Sequence, residues 1–327
     1  HTTGNANIAI GSGSMGKGVA VVGGGDGNIA LGSYALEDLT LGSGNVAIGL
    51  RAMDELTTGE HNIAIGQLAM SAGVTTGDAN IAIGYLALKD AVGAHNNIAI
   101  GFRAMRDAAN TAARNVVLGY QAAFEGLMTG TDNVILGTNA AENGTSLTRN
   151  VIIGDDAARD GTITGKQNII IGVSGSSKIT SGRDNISLGS FAGSALTTGK
   201  RNILIGSSSV VAGTADHQVV IGTNASANSA NSIAIGQSAT VTQANSMVLG
   251  SQTGEAFFIG MGGLQAPKAT LDVSGSVFVT GSLTVSASNT LKNIGRTVLV
   301  ANERANSVNV PSLPSNRALE VSGTANF

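Results

Sequence analysis

One short phrase recurs along most of this chain at a nearly fixed interval. It consists of a polar residue, an apolar triplet and a glycine, as in Asn62-Ile-Ala-Ile-Gly66 and, eighteen residues later, Asn80-Ile-Ala-Ile-Gly84. Fixed periods in this range are typical of solenoids, in which each repeat is one coil that packs only against its neighbours. Fifteen copies align on the polar residue, at Asn7, Asn28, Asn45, Asn62, Asn80, Asn97, Asn115, Asn133, Asn150, Asn168, Asn185, Asn202, Gln218, Ser232 and Ser246.

The interval between copies shortens toward the end of the repeat. It is 17 or 18 residues from Asn28 to Asn202 and then 16, 14 and 14 residues. The 21 residues between Asn7 and Asn28 contain a degenerate copy around Val19-Ala-Val-Val-Gly23. Helices are not expected, because glycine is frequent and no stretch has a 3.6-residue apolar period. We therefore predict an all-β solenoid of about fifteen coils of 14–18 residues.

Composition excludes several classes of protein. The chain has 327 residues, no Cys and a formal net charge of −3, with 42% hydrophobic and 12% charged residues. This hydrophobic share argues against disorder, and the weakly acidic balance provides no basic surface for nucleic acid. The longest apolar runs, such as Asn168-Ile-Ile-Ile-Gly172, are too short to cross a bilayer. We predict that the chain neither binds nucleic acid nor inserts into a membrane.

Each unit is predicted to contain two short strands. The first is the apolar triplet, and the glycine that ends it can adopt the positive φ of a sharp corner. The second is predicted to begin at an alanine three residues after this glycine and to end in Thr-Thr-Gly or a related turn. These alanines include Ala35, Ala52, Ala69, Ala87 and Ala104.

The middle residue of the triplet carries the main prediction about packing. In a strand it points away from its two neighbours, yet it is apolar in every copy except at Ser187. Both faces of the strand are therefore predicted to be buried, one in the chain's own core and one against partner chains of a symmetric homo-oligomer. We predict that the middle residues form the face at the oligomer axis, represented by Ala64, Ala82, Ala99, Val117, Ile135, Ile152 and Ile170.

The polar residue and the glycine of each phrase are predicted to have structural roles. Asparagines stacked in register can hydrogen-bond through their amides from coil to coil. The glycines are predicted to form the corner after each strand. Three consecutive copies represent this structural repeat, with Asn62, Gly66, Asn80, Gly84, Asn97 and Gly101.

The repeat resembles a known family. Asn231-Ser-Ile-Ala-Ile-Gly-Gln-Ser-Ala-Thr240 and Asn245-Ser-Met-Val-Leu-Gly250 are similar to the head repeat of trimeric autotransporter (YadA-like) adhesins. That family folds as a left-handed parallel β-roll trimer. The units of 17 and 18 residues with Thr-Thr-Gly resemble the longer form of this repeat in bacteriophage tail fibres. The resemblance covers about residues 5–251 and implies a trimeric left-handed parallel β-roll.

The pattern changes after Gly250. All three prolines follow it, and Lys268-Ala-Thr-Leu-Asp-Val-Ser-Gly275 recurs as Asn316-Arg-Ala-Leu-Glu-Val-Ser-Gly323. Such phrases resemble neck and shaft regions of phage fibres, whereas a bacterial surface adhesin should continue into a heptad coiled coil, and no heptads are visible. We therefore predict two domains, a β-roll over 1–254 and a β-rich trimeric neck and shaft over 255–327 that continues beyond the chain end.

Other patterns that could indicate chemistry are better explained by the repeat. Gly11-Ser-Gly-Ser-Met-Gly16 matches a dinucleotide fingerprint but is not followed by a helical pattern. Ile65-Gly-Gln-Leu-Ala69 matches the unit of left-handed hexapeptide acyltransferases, which need three such faces per coil and a general-base histidine. His61, His95 and His217 are instead predicted to lie in loops. We predict no enzyme activity and no catalytic, cofactor or metal site.

These observations lead to one functional prediction and two alternatives. The chain is predicted to be a rigid homotrimeric rod of a phage tail fibre that supports host-surface attachment, located extracellularly in the virion. Its predicted partners are two further copies of itself, other tail-fibre or baseplate proteins and a host cell-surface receptor. The first alternative is the head of a bacterial trimeric adhesin at the cell surface. The second, from the hexapeptide similarity, is an acyltransferase.

Overall fold

Twenty short strands are present in the residues that the structure describes. A computed structural model describes residues 4–16, 25–72, 76–107, 112–125 and 128–250, and the backbone of 259–261 and 271–273. The strands are β1 Ile8–Ile10, β2 Ile29–Leu31, β3 Val46–Ile48, β4 Ile63–Ile65, β5 Ile81–Ile83, β6 Ile98–Ile100, β7 Val116–Leu118, β8 Val134–Leu136, β9 Val151–Ile153, β10 Ile169–Ile171, β11 Ile186–Leu188, β12 Ile203–Ile205, β13 Val210–Val211, β14 Val219–Ile221, β15 Ser226–Ala227, β16 Ile233–Ile235, β17 Thr240–Val241, β18 Met247–Leu249, β19 Ile259–Met261 and β20 Leu271–Val273.

The fifteen apolar triplets form one parallel sheet, and we call them the triplet strands (β1–β12, β14, β16 and β18). They follow each other in chain order, and equivalent residues stack in register, for example Ala64 on Ala82 and Ala82 on Ala99. The described residues contain no helix, and hence none that could span a membrane. The predicted all-β parallel solenoid is confirmed. Its handedness, its trimeric state and the β-rich shaft stay predictions.

The corner glycines are confirmed and have a steric reason. Gly66, Gly84 and Gly101 have φ values between +134° and +137°, a region that only glycine adopts without strain. A Cβ atom at Gly66 would lie 2.5 Å from the carbonyl oxygen of Gly84 in the next coil. Successive coils therefore approach each other closely at this corner, and any side chain there would push them apart.

The predicted second strand is wrong for the long coils and right for the short ones. In the long coils Ala69 lies between Leu68 and Met70, whose φ values are +58° and +52°, so this segment turns instead of extending. In the short coils the position of Met70 is occupied by Val210, Ser226 or Thr240, and the small strands β13, β15 and β17 form there. β-branched residues such as valine and threonine strongly disfavour positive φ, which favours the extended form.

The core of the solenoid lies between the triplet strands and the turn that follows them. The middle residue of each strand meets the residue four positions after the corner glycine, which we call the turn position. Ala64 and Met70, which represent the two positions in one coil, are both fully buried. Direct contact is visible at the one polar middle residue, Ser187, whose Oγ accepts a hydrogen bond from Ser176 Oγ at the turn position of the preceding coil (2.8 Å).

The sizes of these two residues vary reciprocally from β1 to β10. In these strands, where the middle residue is alanine, the turn position is methionine or leucine, and where the middle residue is isoleucine, the turn position is alanine or serine. Large and small side chains thus alternate across a core of nearly constant width, as close packing requires. The pairs include Ala47 with Met53, Ala64 with Met70, Ala99 with Met105, Ile135 with Ala141, Ile152 with Ala158 and Ile170 with Ser176.

The prediction that the middle residues face partner chains is wrong. Apart from Ala9 and Val248 in the first and last triplet strands, they are at most 1% exposed in the single chain, before any partner is added, because they fill the chain's own core. The first and third residues of the same strands point outward, since side chains alternate along a strand. The residues wrongly predicted to lie at the oligomer axis are Ala64, Ala82, Ala99, Val117, Ile135, Ile152 and Ile170.

The strands after the solenoid are described only by their backbone. β19 and β20 form a two-stranded sheet that is separate from the sheet of the triplet strands. Most of the predicted neck and shaft, 255–327, lies outside the described residues. The domain boundary after residue 254 and the nature of the second domain stay predictions.

Candidate assembly surface

The asparagines of the repeat form a buried ladder inside the solenoid. The Asn62 backbone N–H and side-chain Nδ2 both donate to Asn45 Oδ1, at 2.9 and 3.1 Å, and Nδ2 also donates to the Gly77 carbonyl at 2.8 Å. Asn80 and Asn97 repeat this pattern one and two coils further on. Each amide is fully buried and uses its oxygen and both of its donor directions. The predicted coil-to-coil hydrogen bonding is confirmed.

The ladder ends where the coils become short. Asn202 Oδ1 accepts the backbone N–H of Gln218 at 2.9 Å, and the Gln218 amide donates to the carbonyls of Ala227 and Ser229. Gln218 Oε1 is buried and has no hydrogen-bond partner. Serines occupy the next two ladder positions. The change from asparagine to shorter polar residues therefore coincides with the shortening of the repeat to 14 residues.

The main candidate for an assembly surface is the outward side of the sheet formed by the triplet strands. We define the outer face as the first and third residues of the fifteen triplet strands. All thirty are Ile, Val, Leu or Met, and none of them is buried in the single chain. Ile171 is 38% exposed and Met247 is 53% exposed. An unbroken aliphatic stripe thus runs along the whole described solenoid.

The apolar surface of the described residues is concentrated in and beside this stripe. Eighteen large hydrophobic side chains are at least 36% exposed, and eleven of them belong to the outer face. Four more, Leu50, Tyr85, Tyr120 and Val173, directly follow a corner glycine. Fifteen strands at a spacing of about 4.8 Å give a stripe about 70 Å long and about 10 Å wide. Its area of about 700 Å² exceeds the largest apolar patch of a typical monomer, which is about 300–600 Å².

An aromatic stack flanks the stripe. The rings of Tyr85, Phe102 and Tyr120, which follow three consecutive corner glycines, stack with centroid distances of 5.3 and 5.1 Å. Arg103 lies over the Phe102 ring at 5.0 Å and over the Phe124 ring at 5.3 Å. The stack therefore continues the apolar surface beyond the sheet, and a guanidinium stabilises one side of it through cation–π contacts.

The histidines of the repeat lie at the turns, as predicted, and do not converge. His61 Nδ1 lies 4.0 Å from the Glu60 carboxylate, and His95 Nδ1 lies 3.7 Å from the Asp78 carboxylate. In the part of the chain that the structure describes, no three His, Cys, Asp or Glu residues are placed to hold a metal ion. Residues 11–16 of the glycine-rich motif form turns after β1. The predicted lack of enzyme activity and of cofactors stays a prediction.

One carboxyl group has an unusual environment. Burial, together with a smaller effect of the charge of Glu55, raises the pKa of Asp54 to about 6. Asp54 Oδ1 is buried without a hydrogen-bond partner. It directly follows Met53 in the turn of one coil, so its environment comes from core packing and not from a cleft.

The sequence contained a signal that assigns the two faces correctly. The alternation of strands shows only that positions one and three share a side. The reciprocal sizes of the middle residue and the turn position, six residues apart, show which side is internal, because only residues in one core must share its volume. No family model and no curated protein sequence matches the chain, so the repeat and its surface are the basis for a functional interpretation.

Proposed function

We propose that this chain is a segment of a homotrimeric fibre, a rigid rod that holds a host-binding module at a distance from a phage particle. The observation that carries the proposal is the outer face, an aliphatic stripe with no polar interruption over fifteen strands. Such a stripe requires a partner that is equally long, equally apolar and matched to the same coil spacing. A further copy of the chain meets all three conditions.

Cyclic symmetry about an axis parallel to the rod explains how the copies would fit. Under such symmetry each coil lies level with the same coil of its neighbours, so every outer-face residue has an aliphatic counterpart. The resemblance of the repeat to trimeric β-roll proteins supports three copies. The axial core would then consist of outer-face residues, while the alanine and isoleucine middle residues stay inside each chain.

The rod function follows from the physics of the solenoid. Each coil contacts only its neighbours, through the sheet and the asparagine ladder, so length is gained without a change of cross-section. The mechanism is mechanical: the fibre transmits position and force and presents its turns to solvent. Extracellular location in a virion, contact with other tail-fibre or baseplate proteins and attachment to a host receptor belong to this proposal.

The head of a bacterial trimeric adhesin is the second candidate. The 14-residue copies from Asn231 to Gly250 favour it, because they are the ones similar to the adhesin head repeat. The longer units and the Leu-Asp-Val-Ser-Gly phrases of the second domain favour the phage fibre. Immunogold labelling with an antibody against residues 25–250 separates the two, since it would mark tail fibres on phage particles or the surface of bacterial cells.

A pair of matched variants tests the assembly. In Ile169→Glu/Ile171→Glu two outer-face residues, each 38% exposed, become charged, whereas in Leu41→Glu a leucine outside the face that is 47% exposed becomes charged. We expect the parent and Leu41→Glu to be trimers by light scattering. The double variant should be a monomer with parental circular dichroism, because buried like charges at the axis prevent assembly while the single chain tolerates them. A monomeric parent, or a double variant as trimeric as the parent, would contradict the proposal.

A further inference from the structure

The outer face has two different edges. The residue directly after each corner glycine forms one edge, which we call the following column; it includes Leu50, Tyr85 and Asp155. The residue directly before each ladder position forms the other edge, the preceding column, which includes Gly44 and Arg149. Five residues separate the columns within one coil, namely the ladder position, the three-residue strand and the corner glycine, so the two edges of one chain cannot touch.

Strand direction decides which edges meet in a cyclic assembly. In a ring of identical chains around an axis parallel to the rod, all triplet strands circulate in the same sense. The end of each strand therefore points toward the beginning of the same strand in the next chain. Such an interface is heterologous and joins two different surfaces. The following column of one chain would lie beside the preceding column of its neighbour, at the same coil.

The charges of one coil fit this arrangement. Asp155 and Arg149 are both exposed, lie on opposite edges of β9 and are separated by about 20 Å of extended chain. Neither lies within 4.0 Å of an oppositely charged group among the described residues, and the charge of Arg149 also helps to lower the pKa of Asp132 in the preceding coil. In the adjacent coils the preceding column holds Asp132, which Arg114 already pairs bidentately, and the neutral Gln167. Only contact at the same level brings Asp155 to a cation.

The sizes of the side chains fit it as well. Leu50 is level with Gly44, Tyr85 with Ala79 and Phe102 with Asn96, so that these three bulky residues of the following column oppose smaller ones on the preceding column, whereas Tyr120 is level with Arg114. The relation reverses at Ser207, which is level with Arg201. Within one chain these residues do not touch, so a shared volume can only arise between chains.

We propose that neighbouring chains of the fibre bind edge to edge, with Asp155 of one chain paired with Arg149 of the next and with Tyr85 and Phe102 of the aromatic stack packed against Ala79 and Asn96 of the facing column. The inference rests on the proposed homotrimer and specifies its contacts. It assigns the aromatic stack to assembly instead of to receptor binding.

Cysteine cross-linking tests the pairing of Asp155 with Arg149 without a background from native thiols, because the parent chain has no Cys. The variant Arg149→Cys/Asp155→Cys is treated with a short bismaleimide and analysed on a denaturing gel. We expect most chains to appear as covalent trimers. Each single variant should give none, because identical positions are kept apart around a threefold axis. The matched control Arg149→Cys/Ser207→Cys places the second cysteine three coils away, about 14 Å along the rod, and should also stay uncross-linked.

Charge reversal provides an independent measurement. Asp155→Arg and Arg149→Asp should each lower the melting temperature of the trimer, and the double reversal should restore it. If the parent is trimeric by light scattering but the cysteine pair gives no covalent trimer, or the single variants cross-link equally well, the edge pairing is wrong and the trimer stands. If the parent is a monomer, the proposed function itself fails.

Discussion

Two regions of the solenoid have the same core architecture but place the large residue of each core pair at different positions. Strands β2–β6 have alanine at every middle position and methionine or leucine at the turn position, whereas β8–β10 have isoleucine in the middle and alanine or serine at the turn. Both regions are parallel, in register and fully buried at these positions. In these two regions the solenoid therefore fixes the summed volume of the middle residue and the turn position, and not the identity of either residue. The comparison also shows that the middle residue belongs to the chain's own core.

The largest expected effect comes from removing the bulky member of a pair. Met105→Ala in the first region and Ile152→Ala in the second would each leave two alanines facing each other across a cavity. We expect each to lower the free energy of unfolding by about 3 kcal/mol per chain, measured by chemical denaturation. A loss in one region and none in the other would show that the regions are not equivalent.

Adding volume to the core should have a smaller effect on stability, and a compensating second substitution should restore the stability. Ala99→Ile places a second large side chain against Met105 and should cost about 2 kcal/mol. Ala99→Ile/Met105→Ala reproduces the Ile152–Ala158 pair of the other region and should unfold within about 1 kcal/mol of the parent. If the losses in the free energy of unfolding were additive in this double-mutant cycle, the conclusion that the two residues share one core volume would be contradicted.

The smallest effect concerns a carboxyl group in the first region. Because the folded state raises the pKa of Asp54 from 3.8 to about 6, the folded chain holds this proton more tightly than the unfolded chain. The resulting stabilisation is fully present below pH 3.8 and is lost as the pH rises to about 6. At pH 7, Asp54→Asn should therefore raise the free energy of unfolding by no more than about 2 kcal/mol. Below pH 3.8 its effect should be close to zero.

The matched position in the second region serves as the control. Glu142 also has a pKa raised by burial, but Arg159 lies 4.0 Å away and counteracts the shift. Glu142→Gln should therefore change the pH dependence of unfolding less than Asp54→Asn. Equal pH profiles for the two variants would mean that burial at Asp54 is relieved in solution.

Local signals in the sequence predicted the parts of the fold that depend on single residues. Gly66 predicted a corner because only glycine tolerates its φ and the close approach of Gly84. Asn62 predicted a ladder because stacked amides satisfy one another. The second strand was mispredicted because Leu68 and Met70 adopt positive φ, which no propensity scale favours for such residues. The tertiary contacts of the coil hold them there.

The sequence by itself determined the period, the strands, their parallel register and the asparagine ladder, because each follows from repetition at fixed spacing. The tertiary structure decided which side of the strand is internal, because the reciprocal sizes of the middle residue and the turn position identify that side only once the turn is known to close over the strand. Both sides of the triplet are apolar, so alternation alone leaves two solutions, with Ala64 outside or Ile63 and Ile65 outside. The choice depends on the turn that closes each coil: Met70 is held over Ala64 in the core, and no space remains there for a second row of isoleucines.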